Sequence, residues 1–192
     1  MSDPIWSKYL NPLTELNAYM LELAVLLGGH GDHLEIGTLF GASAIHAALT
    51  KKRNGLGGKV VCIDPFESDL LTPTIWAQCN DIAPTVEIVM SNATHFGVDD
   101  RIEIIQKKSN PLPFAGQRFA TAYIDGDHSV EGVRADWNNL KKIVDVAVLL
   151  DDDKTHMGTY KVAREDIAVD KDWKAWFAYQ MVLVLRLNAT LS

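Results

Sequence analysis

The stretch Leu34-Glu35-Ile36-Gly37-Thr38-Leu39-Phe40-Gly41-Ala42-Ser43 decides how this chain is read. A short apolar run ends in an acid, and two glycines spaced G-x-x-x-G open a helical pattern at Ala42. That order predicts a strand, a tight turn and a helix N-terminus. Backbone N–H groups in such a turn meet a ligand closely, because a Cβ at either glycine would obstruct the approach. The spacing is not the dinucleotide fingerprint G-x-G-x-x-G, since Leu39 and Ala42 stand where its second and third glycines would fall. A turn with a preceding acid and no pyrophosphate-type triplet suits a ligand that has an adenosine but no diphosphate. The competing reading of this stretch alone is a glycine turn with no ligand.

Outward from the turn, apolar runs alternate with helical patterns. Asn11-Pro12 marks a helix start, followed by apolar residues at Leu16, Met20, Leu23, Leu26 and Leu27, and Gly28, Gly29 and Gly31 break it. Strands are predicted at 33–36, 59–63, 101–106, 119–124 and 144–150, and helices at 42–50, 84–96, 129–142 and 157–167. The 129–142 helix carries Val130, Val133, Trp137 and Leu140 on one face. Segments 173–179 and 181–187 have little between them, which predicts an antiparallel hairpin at a sheet edge. Residues 66–82 fit no single element. Strands alternating with helices imply right-handed crossovers and a parallel sheet covered on both faces, with ligands gathering at the carboxyl ends of the strands. Glu35, Asp64, Asp125 and Asp151 each end an apolar strand in this reading. One acid at a strand end is a cap or a turn former; four along one edge make a site.

Composition narrows the function classes. The chain has 192 residues, 22% charged and 47% apolar, which is one globular domain able to bury roughly 70% of its unfolded surface. A net charge of −7 without a basic run argues against a nucleic-acid backbone as the main partner. Lys51, Lys52 and Arg53, or Lys107 and Lys108, read as solvated surface. Cys62 and Cys79 form neither a metal spacing nor a disulfide framework, and Cys62 lies inside an apolar strand. No stretch reaches 18 apolar residues and residues 1–8 make no signal peptide, so a cytoplasmic location and no membrane partner are expected.

The acids carry the chemistry. Asp64 is placed to accept hydrogen bonds from a ribose diol, or else Asp64-Pro65 merely initiates a turn. Tyr123-Ile124-Asp125-Gly126-Asp127-His128-Ser129 follows one strand and Asp151-Asp152-Asp153 the next. Adjacent parallel strands lie about 5 Å apart, so Asp125 with Asp151 or Asp152 can converge on one divalent cation. Oxygen ligands without cysteine suit Mg²⁺, Mn²⁺ or Ca²⁺. Carboxylates this close repel unless a cation or a proton relieves them; otherwise they cap helices and face solvent, and Asp127 is placed to cap. His128, a loop histidine beside clustered acids, is a candidate general base. His30, His33, His46 and His95 read as structural, and His156, four residues beyond Asp152, as a weaker ligand candidate.

Together these residues resemble class I S-adenosylmethionine-dependent methyltransferases. The matches are E-x-G-x-x-x-G-x-S from Glu35 to Ser43, the acid in VVCIDPF, the block YIDGDHSVEGVRADW beginning at Tyr123, and LLDDD ending at Asp153. The DGDHS-x-E-G block is similar to the small, often metal-dependent O-methyltransferase branch of macrocin-type sugar enzymes and, more distantly, to catechol and caffeoyl-CoA O-methyltransferases. The resemblance spans roughly residues 30–187. It implies a Rossmann-like α/β fold, a doubly wound seven-stranded sheet of order 3-2-1-4-5-7-6 with strand 7 antiparallel. One domain would cover 1–192, with 1–30 as an N-terminal helical cap and 31–192 as the core.

Carried over residue by residue, Glu35, Gly37, Gly41 and Ser43 would line the methionine and ribose part of S-adenosylmethionine. Asp64 would hold the ribose hydroxyls and Ser109 would lie near the adenine. Asp125 would border the cofactor and, with Asp151 and Asp152, match the metal-ligand positions for Mg²⁺ or Mn²⁺. His128 stands where the catechol-type enzymes place a lysine base. Two departures are visible. Val144-Asp145 replaces the Gly-Gly of sugar-type relatives, which leaves the choice between Asp151 and Asp152 open, and no inserted lid or acceptor domain follows the fifth strand. The resemblance therefore implies metal-assisted O-methylation of a small-molecule acceptor. The alternatives are a metal-independent methyltransferase and a catalytically inactive, nucleoside-binding methyltransferase-like protein, with a homo-oligomer left open.

Overall fold

Short, largely apolar runs buried on both faces form the inner strands of one sheet. The structure is a computed structural model that describes residues 15–67 and 82–189. Asn11-Pro12, Cys79 and most of the unassigned 66–82 segment lie outside the described residues. In chain order the elements are α1 Glu15–Leu27, β1 His33–Ile36, α2 Ala42–Arg53, β2 Val60–Ile63, α3 Val86–His95, β3 Ile102–Ile105, β4 Phe119–Ile124, α4 Val130–Ile143, β5 Val144–Leu150, α5 Gly158–Val162, β6 Trp173–Ala178 and β7 Met181–Arg186. The sheet order is β3-β2-β1-β4-β5-β7-β6. Strands β1 to β5 are parallel, and β7 pairs antiparallel with both β5 and β6. This is the seven-stranded Rossmann-like order expected above.

Each face of the sheet has its own core. Leu34, Ile36, Ile63, Ile124, Val148 and Leu150 pack with Val133, Trp137 and Leu140 of α4, which confirms the face predicted for that helix. The Trp137 ring meets Trp173 edge-on at 5.3 Å. On the other face, Cys62, Tyr123 and Leu149 pack with Leu21, Ala24 and Val25 of α1 and with Ala44, Ile45 and Ala48 of α2. Register sets Glu35 beside Cys62 and Tyr123, so these three share that second face.

Three local expectations are corrected. The apolar spacing named in the first helix is largely the outer one: Leu16, Leu23 and Leu26 are exposed, while Leu21, Ala24 and Val25 are buried. A helix apolar nearly all round gives periodicity no face to choose. The helix expected over 157–167 is α-helical only through Val162 and continues as a π-helical turn, Ala163–Ile167. Glu35 does not end its strand, because Ile36 still pairs with Ile63 and Ile124.

At the amino end of the strands Lys51, expected as solvated surface, is instead buried, because its ammonium donates to the carbonyls of Gly29 (3.1 Å), Gly31 (2.7 Å) and Gly57 (3.2 Å). His33 Nδ1 lies 2.8 Å from Thr121 Oγ1, and burial holds that ring neutral, with its pKa pushed down to about 3. The predicted structural roles of Cys62 and His33 fit this packing. No helix among the described residues is long and apolar enough to cross a membrane.

Candidate active site

The carboxyl ends of β1, β2, β4 and β5 bring most of the sequence-predicted residues to one edge. The first turn after β1 is held from below by Asp64. Its Oδ2 accepts the backbone N–H of Thr38 at 2.7 Å and of Leu39 at 3.0 Å, and its Oδ1 accepts the N–H of Phe66 at 2.7 Å. Asp64 is thus a turn organiser, and one of the roughly four lone-pair sites of its carboxylate remains for a ligand.

The two glycines are required for a reason other than the expected clearance for a ligand. Gly37 has φ +86°, and a Cβ there would lie 2.1 Å from the Asp125 carbonyl oxygen. Gly41 also has φ +86°, and its Cβ would lie 2.7 Å from Val89 Cγ1 on α3. Protein atoms fill both places. Gly37 lets the exits of β1 and β4 touch, and the Asp125 N–H donates to the Ile36 carbonyl at 2.8 Å across the same junction. Gly41 caps α2 with no side-chain hydrogen bond, while Asn92 of α3 donates to the Phe40 carbonyl at 3.0 Å.

Beneath this turn lies Glu35, fully buried. Burial is the main reason its carboxyl pKa is raised to about 8; the Ser43 and Thr38 hydroxyls pull it back part of the way, and Asp64 adds to the rise. Neither oxygen has a full hydrogen-bond partner. A buried carboxyl left unpartnered is costly, so Glu35 is the residue here with most to gain from a donor or a cation.

At the exits of β4 and β5 the acids are held by side chains. His128 Nε2 lies 3.5 Å from Asp125 Oδ1, and its Nδ1 lies 3.7 Å from Asp152 Oδ2. The Lys154 ammonium hydrogen-bonds the other oxygen of Asp152. Asn17, from the first turns of α1, donates to Asp151 Oδ1 at 3.1 Å. Burial, then the Asp151, Glu35 and Asp152 carboxylates, push the Asp125 carboxyl well above its ordinary value. Asp151 is raised as well, by burial and by Asp152, while the hydrogen bond from Asp125 lowers it. Asp125 and Asp151 hydrogen-bond each other, and burial raises both carboxyls. Tyr123, two residues before Asp125 and buried on the same face, hydrogen-bonds Asp125 through its hydroxyl.

The loop that carries His128 is pinned at both sides. Asp127 Oδ1 accepts the Ser129 N–H at 2.9 Å, and the helix cap expected of Asp127 falls instead to Ser129, whose hydroxyl accepts the Gly132 N–H at 3.0 Å. The Gly158 N–H donates to the His128 carbonyl at 2.8 Å. A Cβ on Gly158 would lie 2.4 Å from the Ser129 carbonyl oxygen, so that position must be glycine.

Ser109 is drawn elsewhere. Its hydroxyl hydrogen-bonds Asp136 of α4, a residue buried enough that its carboxyl pKa is raised to about 6. His156 is exposed and joins none of these contacts. Sequence reasoning missed Asn17, Lys154 and Tyr123. Only Tyr123 left a signal, since a residue two before a strand-end acid shares its face.

The donor chemistry of Asp125, Asp151 and Asp152 suits a hard divalent cation, but their arrangement does not fit one. The His128 ring occupies the gap between Asp125 and Asp152, and Lys154 supplies positive charge to Asp152. Among the described residues, no three His, Cys, Asp or Glu side chains gather into a metal-holding group.

A family profile described as a methyltransferase domain matches residues 34–153. Solved structures share the fold. The O-methyltransferase from Bacillus cereus in complex with SAH superposes with a TM-score of 0.62 at 17% identity, covering 95% of this chain and 86% of that one. The O-methyltransferase TomG from Streptomyces achromogenes, involved in tomaymycin synthesis and solved with SAM, gives 0.65 at 19% identity, covering 97% and 91%. The O-methyltransferase NovP gives 0.71 at 18% identity, covering 88% and 78%. No curated protein matches this sequence.

Proposed function

The chain belongs to the methyltransferase-domain family, and from that premise we propose that it transfers a methyl group from S-adenosylmethionine to a hydroxyl oxygen of a small-molecule acceptor. One observation carries the choice of oxygen. His128 lies between two carboxylates, 3.5 Å from Asp125 and 3.7 Å from Asp152, at the strand-end edge where the nucleoside turn also opens. With one ring nitrogen held by a carboxylate, the other can take the proton of an acceptor hydroxyl that enters in place of the second carboxylate.

The cofactor side fits S-adenosylmethionine. Glu35 offers the methionine ammonium a buried carboxyl eased only by the Ser43 and Thr38 hydroxyls, with Gly37, Gly41 and Ser43 shaping the turn above it. Asp64 keeps a lone-pair site for the ribose diol, Asp125 borders the methionine end, and the adenine would lie past the end of β3 near Ser109, whose hydroxyl is engaged by Asp136. The sulfonium supplies an electrophilic methyl group, so the chain's own task is alignment, exclusion of water and removal of the acceptor's proton. His128 accepts that proton on one ring nitrogen, while the carboxylate at the other nitrogen holds the ring.

A second reading adds Mg²⁺ or Mn²⁺ shared by Asp125 and Asp152, and it rests on the hard-oxygen character of that pair. It would need His128 to leave the gap and Lys154 to release Asp152, and no step here runs through an ion. Thermal-shift titration with S-adenosylmethionine and S-adenosylhomocysteine, followed by an acceptor screen read by S-adenosylhomocysteine release, tests the proposal. Release that persists in EDTA supports the metal-free site. Release lost in EDTA and restored by Mg²⁺ gives the second reading. Cofactor binding without release from any hydroxylated acceptor would leave a nucleoside-binding protein that does not turn over.

A further inference from the structure

Beyond the acids already described, the exit of β5 carries a second construction. Arg164 lies in the π-helical turn that interrupts the predicted helix. Its Nη1 donates to Asp153 Oδ1 at 2.5 Å and its Nη2 to Asp153 Oδ2 at 3.1 Å, a two-pronged pair, and Nη1 also reaches the Tyr160 carbonyl at 3.0 Å. The guanidinium stacks 3.7 Å from the Tyr160 ring centre and 4.6 Å from that of Phe177 on β6. Asp153 is itself 8% exposed at its side chain, and its N–H donates to the Gln180 carbonyl at 2.6 Å. Gln180 and its neighbour Tyr179 form the β6–β7 turn with φ +66° and +52°, left-handed values that ordinary side chains rarely adopt.

Between this pinned Asp153 and the end of β5 stands Asp152, also left-handed at φ +55°. Its neighbours on both sides are fixed, since the Asp151 N–H donates to the Ile124 carbonyl at 3.0 Å. A non-glycine residue keeps that conformation only where its surroundings over-determine it. Asp152, whose carboxylate faces His128 and Lys154, is held on its C-terminal side by the anchored Asp153 and by the Lys154 N–H, which donates to its carbonyl at 2.7 Å.

We infer that Arg164 is a positioning residue: by clamping Asp153 against Tyr160, Phe177 and the β6–β7 turn, it holds Asp152 in the left-handed conformation that aims its carboxylate at His128. Arg164 itself touches neither His128 nor Asp152 and acts only through Asp153. The inference rests on the proposed role of His128, but its first readout does not need that role. The planar fork matters, because a lysine cannot make the two-pronged pair or the double stack in the same way.

The test follows the His128 imidazole by long-range ¹H–¹⁵N correlation spectra at one fixed pH, in the full chain without added ligand. Asp152→Ala defines the spectrum of a ring that has lost this partner. Arg164→Ala and Asp153→Asn are expected to move the His128 signals toward that spectrum, and Arg164→Lys to move them part of the way. S-adenosylhomocysteine affinity, measured by calorimetry, is expected to stay within about twofold, since the cofactor turn is not touched. With an acceptor in hand, kcat is expected to fall about tenfold with KM for S-adenosylmethionine unchanged. His128 signals left at their wild-type positions in folded Arg164→Ala overturn the inference. Should that variant fail to fold, unchanged signals in the near-isosteric Asp153→Asn overturn it equally. A wild-type chain that binds no S-adenosylhomocysteine would instead sink the proposed function, and the His128 spectra would still decide the clamp.

Discussion

At the β1–β2 end of the edge, Asp64 holds its turn through three backbone N–H groups. At the β4–β5 end, the carboxylates are held by side chains: Asn17 of α1, Arg164, and the loop residues His128 and Lys154. The first end is fixed by main-chain geometry and by glycines whose missing side chains are filled with protein. The second is fixed by charges that salt and pH reach, since several of its partners are half exposed. The difference suits a division of labour in which one end binds an invariant nucleoside and the other carries proton transfer and acceptor choice.

The comparison breaks most severely where the two ends touch. Gly37→Val places a branched side chain where a Cβ alone would be 2.1 Å from the Asp125 carbonyl oxygen, at φ +86°. We expect a loss of about 4 kcal/mol, or about 10 °C in Tm for a chain of this size, and loss of cofactor binding. Gly55→Ala is the control, because its φ is +65° but nothing lies within 4 Å of the added atom; it should cost about 1 kcal/mol. Similar melting curves for the two variants would mean that the two exits are not in contact.

The next effect separates the ends by function. His128→Ala should lower kcat by about 10²–10⁴-fold, the usual share of a general base, and leave S-adenosylhomocysteine affinity within about twofold. Retained turnover on a confirmed acceptor would remove His128 from the chemistry. Asp64→Ala should do the reverse, weakening cofactor binding by about 1.5–3 kcal/mol, the range for hydrogen bonds to a charged group. Part of that loss comes from the released Thr38 and Leu39 N–H groups, so Asp64→Asn, which keeps one acceptor oxygen, should lose less. Calorimetry that finds unchanged affinity in Asp64→Ala would end the ribose assignment.

How much of this was legible in the sequence follows the same division. The bounds of β4 and β5 are legible to the residue, because each is an apolar run closed by an acid, and the antiparallel pairing of the hairpin follows from the lack of chain between its strands, while the sheet order follows from the family resemblance. Asp64, Asp125, His128, Asp151 and Asp152 come to one edge because topology alone takes strand ends there. The bounds of β1, 33–36, are also legible, but the idea that Glu35 closes the strand is not consistent with them, since Ile36 still pairs with Ile63 and Ile124. Sequence could not show that the glycines serve protein contacts across the β1–β4 junction. Asn17 was invisible for a plainer reason: its partner Asp151 is 134 residues away and nothing local marks the pair.

The smallest effect sharpens the comparison at Glu35, the fully buried acid of the edge, eased only by hydroxyls among the described residues. Its carboxyl, raised to about 8 by burial, is protonated at neutral pH. Binding a methionine ammonium favours the ionised form, so the cofactor must displace that proton between about pH 6 and 8. Affinity for S-adenosylhomocysteine is therefore expected to rise with pH by up to about tenfold per unit and to level off above about 8. The ligand's own amine titrates near the same pH and works in the opposite sense, so wild type must be read against Glu35→Gln, which removes only the protein's share. The sign for folding is opposite to that for binding. A carboxyl raised from 4.5 stabilises the fold fully below that value, and its contribution is lost as pH rises through about 8. Glu35→Gln should accordingly gain stability over wild type across that window while its cofactor affinity loses the pH slope. Parallel affinity profiles for the two proteins would show that Glu35 does not meet the ammonium, and the β1 end would then be a turn that binds through Asp64 alone.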